Sequence, residues 1–127
     1  MISGVHVLLY STNPDADRAF FRDVLNFPSI DIGHSWMIFG LPPAEAAVHP
    51  ADGATSPSPD HHLMQSHVYL MCDDLQEVMA TLATHKVACT AVHEERWGRR
   101  TTVTLPSGGG IGLYQPSHPT ALKLGGR

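Results

Sequence analysis

The sequence holds only two cysteines, Cys72 and Cys89. That is too few for a disulfide framework and fits a reducing compartment. Charge is sparse as well: 16% of the 127 residues are Asp, Glu, Lys or Arg, and the net charge is -4. The eight lysines and arginines are scattered, which argues against nucleic acid and anionic membrane as partners. No apolar run approaches the ~18 residues of a membrane span. No charged-then-apolar stretch of the secretory type opens the chain, so a cytoplasmic protein is expected. What remains is an ordinary globular composition, 43% apolar, long enough to bury a core without staples. One residue type is abundant. The nine histidines outnumber the eight lysines and arginines, and histidine is both the commonest metal ligand and the usual proton carrier near neutral pH.

Hydrophobic patterning and turn residues divide the chain into elements. Gly4 to Ser11 is short, rich in apolar residues and stopped by Thr12-Asn13-Pro14, which predicts a strand. Asn13 as cap, Pro14 at the first helical position, and Asp15 and Asp17 near the positive end of the dipole predict a helix to about Leu25. Three strands are expected at 29–33, 35–41 and 44–48. Residues 51–65 are Pro-rich and aperiodic, and read as a linker. The order then repeats. His67 to Cys72 is a predicted strand. Asp74 with Glu77 has the form of a capping box, opening a helix that ends near His85. Strands follow at 87–95, 100–105 and 111–114, with a loop-like tail from Pro116. The chain therefore reads as one domain, 1–127, of two strand–helix–three-strand modules, 1–50 and 66–117.

The repeat singles out two histidines. His6 and His67 stand 61 positions apart, each at the start of a strand that precedes a capped helix. Modules packed with pseudo-twofold symmetry would face these side chains towards one another. Alternation places Tyr10 on the face of His6 and Tyr69 on the face of His67. Such a pair can begin a metal site; each histidine is also compatible with a plain half-buried strand position. His61-His62 in the linker read as surface residues. His93 shares a strand face with Glu95, a possible second acid/base pair. Trp97 or Arg99, in the turn WGRR, could overhang a cavity mouth. The glycines at 108–110 enter a strand rather than a helix and form a turn, not a phosphate loop.

The stretch HVLLYSTNPDADRAFFRDVLNF resembles the opening of the vicinal oxygen chelate superfamily, which includes glyoxalase I, bleomycin and fosfomycin resistance proteins and extradiol dioxygenases. HVYLMCDDL and PSGGGIGLYQP resemble that superfamily's second module and its ending. Asn26-Phe27 stands where Gly-Phe is usual. The resemblance implies an α+β fold of paired βαβββ modules forming a curled mixed sheet around a cavity, usually in a homodimer.

Carried over by position, the superfamily's metal ligands fall on His6, Glu45, His67 and Gly112. The first three are sound donors, and Glu45 would also be the catalytic carboxylate. Gly112 stands where glutamate is usual and offers no side chain. His49 shares the strand parity of Glu45 and is a possible neighbour or substitute.

Two functions follow from the resemblance. One is a metal-dependent lyase, isomerase or dioxygenase-type enzyme, with zinc, nickel, manganese or iron chelating a small oxygenated substrate. The other is a non-catalytic drug- or metabolite-binding protein of the bleomycin-resistance type, with a cup lined by Tyr10, Trp36 and Tyr69. Tyr114 would lie close by on the open side left by Gly112.

Overall fold

A computed structural model describes residues 1–34, 36–50 and 63–125. The first helix, α1 (Pro14–Asp23), starts as its sequence predicts: the Asn13 side chain accepts from the Ala16 N–H and Pro14 fills the first turn. A hairpin of β1 (Ser29–Asp31) and β2 (Met37–Phe39) follows, in antiparallel register Ile30 to Ile38. Phe21 on α1 holds the hairpin through edge-on contacts with Phe27 and Phe39, at ring separations of 5.8 and 5.5 Å. Position 26 has φ 58°, a left-handed conformation that glycine and asparagine adopt most readily. Asn26 in place of the usual glycine thus keeps the same turn.

The second half is a complete strand–helix–three-strand unit. It comprises β3 (Tyr69–Met71), α2 (Leu75–Thr84), β4 (His93–Glu95), β5 (Gly98–Thr104) and β6 (Gly110–Pro116), followed by a short α3 (Leu122–Gly125). The four strands form one mixed sheet in the order β3-β6-β5-β4, parallel between β3 and β6 and antiparallel elsewhere. The Asp74 side chain accepts from the Glu77 N–H, as the capping signal predicts. α2 ends in a Schellman arrangement: Val87 N–H donates to Leu82 O and Lys86 N–H to Ala83 O, with Lys86 at φ 60°.

Register assigns each sheet residue to a face. Leu70, Thr101, Val103, Ile111 and Leu113 point to one side, where Leu75 and Leu82 of α2 and Phe20 of α1 complete the core. Leu75 is fully buried, and burial of a side chain this size contributes about 1.5–3 kcal/mol. Asp17 ties α1 to the second half. Its carboxylate accepts from the Ser11 hydroxyl at 2.6 Å and the Ser107 N–H at 3.0 Å.

Four expectations are corrected. Gly4 to Ser11 forms no strand, and Val5 and Tyr10 are 83% and 84% exposed. Apolar patterning makes a segment competent for a strand, but a strand exists only where a neighbour satisfies its backbone groups. Residues 44–48 are likewise irregular. The strand expected at 87–95 is reduced to β4 and an isolated bridge from Cys89 to Val103. The tail expected as loop carries α3. The predicted linker lies outside the described residues except for 63–65, as do His61 and His62. No helix among the described residues is long and apolar enough to cross a membrane.

Candidate functional site

The other face of the sheet carries the candidate site. Its rows run across the strands: Tyr69, Gly112 and Thr102; then Met71, Tyr114, Arg100 and His93; then Pro116, Gly98 and Glu95. Two rings lie over two glycines. A Cβ at Gly112 would sit 2.2 Å from Tyr69 Cδ1 and 2.8 Å from its Cγ. A Cβ at Gly98 would sit 2.5 Å from Tyr114 Cε1, and Gly98 has φ 154°. Each ring therefore occupies space beside backbone that only glycine leaves free.

Tyr114 is the centre of an aromatic group. Trp97 and Tyr69 meet it edge-on at 5.2 and 6.1 Å, and the His118 ring lies 5.8 Å away. The Tyr114 hydroxyl donates to the Trp97 carbonyl at 2.7 Å, which fixes the ring in place. Burial, and then the nearby Glu45 carboxylate, push the Tyr114 phenol above its ordinary pKa, so it stays a neutral donor. Tyr114 is 8% exposed, whereas Tyr69 and Trp97 are 39% and 42% exposed and present ring surface outward.

The residues singled out by sequence fall in several places. Glu45 reaches the C-terminal segment, where one carboxylate oxygen accepts the Ala121 N–H at 2.7 Å and the other lies 3.9 Å from His118 Nε2. His6 and His67 are exposed, outside the regular elements. His49 makes a contact of 3.0 Å to the Pro50 carbonyl through Nδ1. Trp36 packs under the Arg18 guanidinium at 4.9 Å, and Tyr10 stands in solvent. Tyr69 and Tyr114 are brought together; Tyr10 and Trp36 do not join them. Among the described residues, no three His, Cys, Asp or Glu side chains stand close enough to hold a metal ion.

In the single-chain arrangement the fourth donor that the resemblance implies is missing. Position 112, where the resemblance puts a fourth donor, has no side chain, and Tyr69 fills its space. The Glu45 carboxylate is already engaged by Ala121 and His118. Both cysteine thiols are pushed upward by burial, Cys72 also by Asp73 and Asp74, so neither is an activated nucleophile. The aromatic group itself was only partly legible. Trp97 stood out as a turn residue, but His118 and Arg100 carry no local signal; register and the fold of the tail place them.

The profile of the Glyoxalase/Bleomycin resistance protein/Dioxygenase superfamily matches residues 4–112. The chain belongs to this superfamily. Among solved structures it is similar to TnmS3, an antibiotic binding protein from Streptomyces sp. CB03234, at 24% identity and TM-score 0.63, covering 91% of this chain and 98% of that one. It is also similar to lactoylglutathione lyase from Agrobacterium tumefaciens, at 17% identity and TM-score 0.60, covering 91% and 95%. The fosfomycin resistance protein FosX from Listeria monocytogenes aligns at 15% identity and TM-score 0.53, covering 92% and 96%. No curated protein sequence matches. These likenesses establish the fold, an α+β glyoxalase-type arrangement with an unclosed sheet, while the relatives' names span both binding and catalysis.

Proposed function

We propose that this superfamily member is a small-molecule binding protein whose aromatic group, centred on Tyr114, takes a planar, largely apolar ligand. The observation that carries this reading is the Tyr69 ring seated on Gly112. Where the resemblance puts a metal-binding carboxylate, this chain has an aromatic wall. Rigid aromatic side chains give a ligand large contact area at small entropic cost, and a half-exposed Tyr69 and Trp97 gain most from being covered. The test is a calorimetric titration with a panel of planar aromatics, alongside elemental analysis of protein purified without a metal-affinity tag. Saturable binding to metal-free protein supports the reading; stoichiometric metal that His67→Ala removes contradicts it.

One observation favours the enzyme as a second reading. His6 and His67 are exposed and make no hydrogen bond among the described residues, so both are available as donors. With Glu45 they would supply two imidazoles and a carboxylate for zinc, nickel, manganese or iron, provided Glu45 leaves Ala121.

The same proposal includes a homodimer in the cytoplasm, built from modules 1–50 and 66–117 joined by 51–65. Exposed apolar side chains support the pairing. Exposed apolar residues recur along Ile2 to Tyr10, at Ile30, Ile32 and Trp36, and at Val48, segments that a second copy would cover.

A further inference from the structure

The site face has a charged end that the aromatic group does not use. Arg100 lies directly opposite Tyr114 in the β5–β6 register and opposite His93 in the β4–β5 register. Opposed residues share a face with Cβ atoms about 5 Å apart, so the guanidinium stem starts beside the Tyr114 ring.

The neighbouring arginine provides a comparison. Arg99 points to the other face and holds Glu94 with its Nε at 2.7 Å. Arg100 has a looser partner: its Nη2 stands 3.8 Å from Glu95 Oε1, beyond hydrogen-bond length. Arg100 makes no side-chain hydrogen bond among the described residues, and its side chain is 31% exposed. A guanidinium has five donors in a planar fork suited to a carboxylate. The other carboxylate near the face, Glu45, accepts from the Ala121 N–H and neighbours His118, at the far side of Tyr114.

We infer that Arg100 is the anion-recognising residue of the ligand site, and that the ligand is a planar aromatic bearing a carboxylate or comparably acidic oxygen. Its ring lies on the exposed faces of Tyr69 and Trp97, which the buried Tyr114 ring holds in place, and its acidic group reaches along the sheet to Arg100. Glu95 holds the guanidinium near the face without consuming its donors. This inference rests on the aromatic binding reading above and adds the chemical class of the ligand.

The experiment compares 2-naphthoate with its neutral counterpart 2-naphthamide by titration calorimetry. Wild-type protein binds the naphthoate about tenfold more tightly at low ionic strength, as a charge-assisted pair requires, and added salt narrows the gap. Arg100→Gln lowers naphthoate affinity to the naphthamide level and leaves naphthamide binding unchanged, which also shows that the variant is folded. Arg99→Gln keeps the preference. Equal wild-type affinity for the two probes, or loss of the preference in Arg99→Gln, overturns the assignment of Arg100 while leaving the aromatic site intact. Binding of neither probe overturns the aromatic site and this inference with it.

Discussion

Gly112→Ala is the smallest change that tests how the site is built. The new Cβ would lie 2.2, 2.6 and 2.8 Å from Cδ1, Cε1 and Cγ of Tyr69. Cγ is the root of the ring, so no rotation of its far end relieves the overlap, and the whole side chain must leave the strand face. Overpacking of this kind costs about 1–3 kcal/mol. Displacing the ring also loosens its edge contact with Tyr114 at 6.1 Å, a pairing of the type worth about 0.5–1.5 kcal/mol. Against this, replacing glycine removes freedom from the unfolded chain, a gain of about 0.4–1 kcal/mol. The net expectation is a loss of about 2 kcal/mol in urea unfolding at fixed protein concentration. In a Tyr69→Ala background the clash is gone, and Gly112→Ala becomes neutral or slightly stabilising. The coupling between the two positions is then about 2 kcal/mol, inside the range for residues in contact. An equal cost in both backgrounds refutes the seating of Tyr69 on Gly112. A glutamate at this position, which by resemblance would complete a fourth donor, meets the same ring before it can reach a metal.

Four further outcomes are expected. Asp17→Ala strands the Ser107 N–H and costs about 1–3 kcal/mol in urea unfolding. Burial alone would raise the Asp17 pKa, but hydrogen bonds from Ser107 and Ser11 outweigh it and hold the carboxyl below its ordinary 3.8; its stabilisation is full above that value and lost as pH falls through the lower folded one, so Asp17→Asn flattens the acid limb of stability against pH. Lys86→Gly relieves a left-handed φ of 60° at the end of α2 and raises stability by about 0.5–1 kcal/mol in the same assay. Sedimentation gives a dimer for the wild type, and Leu8→Asp combined with Tyr10→Asp shifts it towards monomer; a wild-type monomer at all concentrations refutes the pairing argued from exposed apolar side chains.

The second half of the fold was readable because its signals are local. Asp74 and Glu77 cap α2 within one turn, and the alternation in β5 and β6 matches a sheet with one face buried. The first half was less so. Gly4 to Ser11 has the composition of a strand, yet composition does not supply the neighbour that would pair with it. The site was legible at single positions and not in its arrangement. Glu45 was identified as a carboxylate of interest, but its partner Ala121 lies 76 residues away and gives no sequence signal. Gly112 reads as a missing ligand in sequence and as the seat of an aromatic ring in three dimensions. The two faces of β5 separate Arg99 from Arg100, a distinction that depends on register to a single residue.

The proposed function requires that the face around Tyr114 bind an aromatic molecule without a metal. Equilibrium dialysis of 2-naphthoate against protein stripped with a chelator tests it most directly, with Trp97→Ala as the site variant. Saturable binding of one ligand per chain is expected, unchanged by stripping and lost in Trp97→Ala. Binding that disappears on stripping and returns when zinc, nickel, manganese or iron is restored would contradict it.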